Sequence, residues 1–299
     1  MAHHARSNSL PSKSHPTVED FEGHLIRLKS SAEATSSSAS SVCTNLDSLN
    51  NLHESINNLI QLPSMKQAFV LKQGKSWALE LLDGSMRLLD CCGIAKDITA
   101  IVKESVQELK SCLRRSRGEA VMAHDIDAYM SSRREVYKRI KKCIKNMKSS
   151  KQFSPNAILD MDQDLKTITG TLKEAEAIGF SILKSVMMLL SGEKASSKPR
   201  RWSLVPRRIH SAMDQENGVH NLSILNIHKR PKGIDAVAVP ALLKQLKASE
   251  MAIQEIEEGL ESFFRNLVQE RVSLLNTKPL LACAHFLYFY NIHRVVYFC

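Results

Sequence analysis

Glycine (11 residues), proline (9) and aromatic side chains (5%) are scarce in this chain. Few glycines and prolines mean few tight turns, which argues against a sandwich or barrel of many short strands. The seven cysteines are odd in number and irregular in spacing, and no Cys-x-x-Cys pair or Cys/His grouping with zinc spacing occurs. Reduced thiols in a cytosolic or nuclear protein are the simplest reading. The opening MAHHARSNSLPSKSHP is polar and holds no apolar signal core. It is rich in serine, but Glu19, Asp20, Glu22 and Glu33 follow early, and organelle transit peptides are poor in acids. Plastid import is therefore not expected.

Catalytic and cofactor patterns are missing too. There is no Gly-x-Ser-x-Gly elbow, no His-Glu-x-x-His and no Gly-x-Gly-x-x-Gly. Gly74-Lys75-Ser76 looks like the end of a phosphate loop, but Phe69 stands where the loop needs its first glycine, and no apolar strand precedes it. Asp160, Asp162 and Asp164 resemble part of a calcium loop without its turn glycine or terminal glutamate. His124-Asp125 is an isolated polar pair at a helix start. No catalytic, cofactor, metal or small-molecule site is assigned on this basis.

What is present points to helices. With 299 residues and 43% hydrophobic side chains, the chain can bury a real core in one large or two ordinary domains. Residues 1–16 read as a disordered Ser-rich tail. Thr17 and Asp20 come close to a capping box, so a helix is expected from Thr17 to about Ser30. Leu46, Leu49, Leu52, Ile56 and Leu59 recur at helical spacing until Pro63. A long apolar pattern fills 64–117, where Gly74, Gly84 and Gly93 are expected to break or bend it, each costing about 1 kcal/mol against alanine in mid-helix. Further helices are expected over 119–150, from Pro155 through Leu190, and from Val239 to Asn276. Residues 191–233 change character and read as a disordered insert, too long for an ordinary connection. No repeat of fixed period stands out. The fold class is all-α: an elongated bundle of five to seven helices spanning 17–276, with one long internal loop. Residues 277–299 concentrate aromatics and form an atypical apolar tail, too short in its apolar run to span a bilayer.

The strongest electrostatic feature is RREVYKRIKKCIKNMKSSK, residues 133–151, with nine basic side chains and one acid. Val136, Ile140, Ile144 and Met147 share one stripe, so the helix is amphipathic. Arg133, Arg134, Lys138, Arg139, Lys141, Lys142, Lys145 and Lys148 form its candidate basic face. Such a face suits anionic lipid or an acidic protein surface. The plainer reading is a solvated face balanced by the acids of residues 160–176. Aromatic interleaving is limited to Tyr137, so nucleic acid is not an expected partner.

Two serine motifs are sharper. In Arg6-Ser7-Asn8-Ser9-Leu10-Pro11, an arginine precedes Ser9 by three residues and a proline follows it by two. Basophilic kinases favour that arginine, and Arg6, Ser7, Ser9 and Pro11 match the phosphoserine docking pattern of 14-3-3 proteins. A phosphate on an accessible tail offers oxygens for an arginine cluster to grip. Arg200-Arg201-Trp202-Ser203 makes Ser203 a second, weaker candidate phosphosite.

Four strings in order carry a family resemblance: HARSNSLPSKSHP, LLDGSMRLLDCCGIAKDI, ELKSCLRRSRGE and RREVYKRIKKCIKNMK. Together they resemble a plant-specific family catalogued as domain of unknown function 241 and grouped with the BYPASS-related proteins. The likeness covers nearly everything from Ser7 to Asn276; residues 277–299 depart from the family's short polar ending. It implies an all-helical plant protein linked to root and shoot development, with no defined catalytic residues. The expectation is thus a non-enzymatic regulatory or adaptor protein of the cytoplasm with protein partners. The alternative is a peripheral protein docking on anionic lipid through the basic helix.

Overall fold

The computed structural model describes residues 15–33, 38–71, 76–115, 119–148, 163–192 and 239–276. Those residues form seven helices: α1 (Pro16–Glu33), α2 (Ala39–Gln61), α3 (Pro63–Leu71), α4 (Ser76–Arg115), α5 (Glu119–Lys148), α6 (Gln163–Ser191) and α7 (Val239–Asn276). The expected all-α bundle is what forms, and no helix of the described residues is long and apolar enough to cross a membrane. Residues 1–14 of the Ser-rich tail, 193–233 of the insert and those after Asn276 lie outside the described residues, whereas His15 and Pro16, expected in the tail, and Ser191, expected in the insert, belong to helix ends.

Local chemistry sets the helix ends. The first helix begins one residue before Thr17, because Pro16 occupies the first helical position, where its missing N–H costs nothing. His15 is the cap there: its ring Nδ1 accepts from the Thr17 N–H at 3.3 Å, and its carbonyl accepts from Val18 and Glu19. At α2 the Ser38 hydroxyl accepts from the Ser41 N–H at 3.1 Å. Pro63 ends one pattern and opens the next helix. Gly84 and Gly93 do not break α4, which runs unbroken for 40 residues, about 60 Å at the standard rise. At Gly84 a Cβ would stand 2.3 Å from a carboxylate oxygen of Glu176, so the glycine admits α6 close to α4.

A seven-residue period, unseen in the sequence, organises the burial. A line of buried positions runs along α4 at alternating steps of four and three, through Leu81, Ser85, Leu88, Cys92, Ala95, Thr99, Val102, Val106, Leu109 and Leu113, with Cys91, Ile98 and Ser105 buried beside it. In α7 the line runs through Leu246, Ser249, Ile253, Ile256, Leu260, Phe263, Leu267, Glu270 and Leu274, with Ala252 and Ser273 buried beside it. A 3.5-residue repeat keeps one seam facing a partner over many turns. The same alternation continues in α2 through Val42, Leu46, Leu49, His53, Ile56 and Ile60.

Helices α2, α7, α4 and α6 pack in a closed ring of four, with α5 against α4 and α6, and α1 against α2 and α6. Partner pairs give the directions. Lys96–Glu261 (2.6 Å), Lys103–Glu257 (2.5 Å) and Lys110–Glu250 step seven residues at a time along α4 while descending α7, so these two run antiparallel. Asn50 bonds Gly259 and Asn57 bonds Asn266, so α2 and α7 run parallel. Lys173 reaches the Glu80 carbonyl and Arg87 reaches Glu176, which makes α4 and α6 parallel as well.

The α2–α7 seam carries unusual polarity. His53 is 1% exposed, and its Nδ1 lies 2.8 Å from a carboxylate oxygen of Glu270. A carboxylate accepts, so the proton of this bond is placed on Nδ1. The edge of the His53 ring meets Phe263 at 4.9 Å between centroids. Asn266 donates to the Asn50 backbone carbonyl and side-chain oxygen, at 3.4 and 3.3 Å. Gly259 lets Leu46 in; a Cβ there would stand 2.6 Å from Cδ2 of that leucine.

Two outcomes follow from this packing. His53→Leu leaves the Glu270 carboxylate buried without its donor and lowers unfolding free energy by about 3 kcal/mol. The double variant with Glu270→Leu recovers most of that loss, read from a urea-denaturation cycle. The second outcome concerns acid. Hydrogen bonding from Lys110, against some opposing burial, lowers the Glu250 carboxyl below its ordinary value of 4.5. Its stabilisation is therefore full above about pH 4.5 and lost as pH falls through the lowered folded-state value. The stability gap between wild type and Glu250→Gln should close over that window in denaturation curves taken at stepped pH.

Candidate functional site

The chemistry-bearing surface lies on α5. Its inner side follows the same three-four alternation: Ile126, Tyr129, Arg133, Val136, Ile140 and Cys143 are buried. Val136 and Ile140 of the anticipated apolar stripe are core residues, with Ile144 and Met147 partly buried beside them. Ser132 shares a 2.6 Å hydroxyl hydrogen bond with Ser105 of α4, and Cys143 pairs with the Cys91 thiol. These contacts hold α5 with its other side outward.

Seven of the eight predicted basic-face residues can be placed around this helix, and one of them is not on the face. Arg133 is 7% exposed and points inward, where its Nη2 donates to the Leu190 carbonyl near the end of α6. A helix end leaves carbonyls without intrahelical partners and carries partial negative charge, so a guanidinium is suited to it. Burial pulls the Arg133 pKa down, partly offset by neighbouring Tyr129. Charge alone puts Arg133 on the outer face; its heptad position, three before Val136 and four after Tyr129, is the signal that places it in the core. Arg134, Lys138, Arg139, Lys141, Lys142 and Lys145 are exposed. Lys148 ends α5, and its side chain lies outside the described residues.

The α6 acids whose side chains are described, Glu174 and Glu176, are engaged away from this face. Glu174 pairs with Lys29 of α1 at 2.6 Å, and Glu176 pairs with Arg87 at 3.0 Å and Lys173 at 3.1 Å. The one acid within the face, Glu135, stands 3.7 Å from Lys138 and 4.0 Å from Arg139. Arg134, Lys141, Lys142 and Lys145 make no ion pair among the described residues.

A second polar feature sits on the bundle axis, and sequence reading missed it. His53 and Ile56 of α2, Ser85 and Leu88 of α4, Glu176 of α6 and Glu270 of α7 help line a cavity of about 20 Å³. That is the room of a single water molecule. Nε2 of His53 has no partner among the described residues. No group of three or more potential metal ligands occurs among those residues. Burial pushes the Cys92 thiol up to about 12 and, with help from Glu255, does the same to Cys43, so both serve as small packing groups at neutral pH. His124 is exposed, and Asp125 raises the Cys112 thiol by hydrogen bonding. Arg6, Ser7, Ser9, Pro11, Ser203, Lys75, Asp160 and Asp162 lie outside the described residues.

Replacing Arg133 by methionine keeps the stem but strips the donor from Leu190. Unfolding free energy should fall by about 2 kcal/mol in urea denaturation, whereas Arg134→Met, on the exposed side, should change it by less than about 0.5 kcal/mol.

No curated protein and no solved structure matches the chain. A family model described as Protein BPS1 matches residues 45–277, which takes in α2 to α7 whole apart from the first residues of α2, and with them both the axial polar cluster and the cationic face. By that match over most of its length, the chain belongs to the BYPASS-related family.

Proposed function

We propose that this chain is a non-enzymatic regulatory or adaptor protein of plant growth, acting in the cytoplasm by presenting docking surfaces. The observation that carries this reading is the outer face of α5. Four of its cations have no ion pair among the described residues, on a helix whose inner side is anchored in the core. Unneutralised like charges on a rigid element raise self-repulsion and are relieved by an anionic partner. Membership of the BYPASS-related family supports the link to root and shoot development, which the resemblance implies.

In this reading the N-terminal segment is the switch. Phosphorylation of Ser9 adds about two negative charges within Arg6-Ser7-Asn8-Ser9-Leu10-Pro11 and creates a grip for the arginine cluster of a 14-3-3 protein. Ser203 is a further phosphosite of the same basophilic type.

The full chain, phosphorylated by a basophilic kinase, should be captured by immobilised recombinant 14-3-3 protein. Ser9→Ala should abolish that capture. Equal retention of the two would remove Ser9 from the mechanism.

A further inference from the structure

The outward side of α5 is arranged as a stripe. Arg134, Lys138, Lys141 and Lys145 succeed one another at steps of four, three and four, which stacks them along one line of the helix surface. Arg139 and Lys142 stand beside that line, and Tyr137 is exposed among them. From 134 to 145 the rise is about 17 Å, so six cations crowd roughly three turns. Among the described residues Glu135 is the one acid paired with them, and it is shared by Lys138 and Arg139.

Three observations choose among anionic partners. The opposite face is already in use: Val136, Ile140 and Cys143 are buried in the bundle, so α5 cannot roll an apolar stripe into a hydrocarbon layer. Adhesion is confined to the headgroup level, where it depends on charge. Four of the six exposed cations are lysines, point charges without the planar fork of arginine. That favours a fluid field of anionic headgroups over fixed bidentate pairing. Tyr137 is the one aromatic on the face, too few for the stacking platform of single-stranded nucleic acid, while an amphipathic ring suits the membrane interface.

We infer that the outward face of α5 is an electrostatic docking surface for an anionic lipid bilayer, laid against it broadside through Arg134, Lys138, Lys141 and Lys145. This rests on reading the α5 face as a docking surface. It adds the chemical class of the partner and requires that docking be peripheral and reversible by salt.

The test is co-sedimentation of the full chain with vesicles of phosphatidylcholine alone or with phosphatidylserine added. Wild type should sediment with the anionic vesicles only, and should be released as salt shortens the Debye length from about 14 Å at 0.05 M to a few ångströms near 0.5 M. Each cation near an anionic surface changes partition roughly fivefold. Lys138→Gln/Lys141→Gln/Lys145→Gln should therefore lower it on the order of 100-fold with an unchanged melting temperature. Lys66→Gln/Lys184→Gln/Lys244→Gln, which removes three exposed lysines elsewhere, should retain most of the binding. Polyglutamate and a single-stranded RNA serve as competing probes. If wild type ignores anionic vesicles but captures either polymer through the three α5 lysines, the lipid assignment is overturned and the docking reading stands. If the α5 triple variant matches wild type with vesicles and polymers alike, both fall.

Discussion

Parallel helices far apart in sequence need something to set their register, and α2 and α7 have it in their polar seam. His53 and Glu270 meet in the core, while Asn50, Asn57 and Asn266 bond across the two backbones. An apolar heptad seam tolerates slippage by a full repeat, but a buried histidine opposite a buried carboxylate does not, because a slip leaves both groups without partners. The seam determines where α7 lies, and α7 then positions α4 through the lysine–glutamate ladder. Arg271 ties the same end of α7 to the Leu82 carbonyl at 2.7 Å and the Ser85 hydroxyl at 3.2 Å. The remaining helices pack on this frame.

The frame also accounts for the face of α5. Elsewhere in the bundle several cations pair across helices: Lys29 with Glu174, Arg87 with Glu176, Lys96 with Glu261. Glu174 and Glu176 of α6 are directed towards α1 and α4. Among the described cations of the segment, Arg133 alone turns inward, where it meets the carbonyl end of α6 and helps join α5 to the ring. The six described cations from Arg134 to Lys145 are left outward on a helix that cannot turn over without exposing Ile140 and Cys143.

Much of the fold was legible because apolar spacing and breaker residues are local signals. The helix from Val239 to Asn276 matched its expected limits, and Pro63 marked a true boundary. The heptad was not legible, since polar side chains occupy its core positions: His53 in α2, Ser85 and Thr99 in α4, Arg133 in α5, Ser249 and Glu270 in α7. A pattern search for apolar residues skips such positions. Glycine was misread for a related reason. Gly84 suggested a bend, yet what it supplies is room for the Glu176 carboxylate of another helix, which no local signal contains.

The sequence by itself determined the all-α class, the succession of helices, the family resemblance and the presence of one strongly basic amphipathic helix. Each depends on side-chain type at short spacing along the chain. Only the tertiary structure decided which of the described charges pair, that Arg133 belongs to the core, and that His53, Ser85, Glu176 and Glu270 converge on the bundle axis. The physical reason is distance along the chain: His53 and Glu270 are 217 residues apart, and their partnership exists only once four helices have closed into a ring.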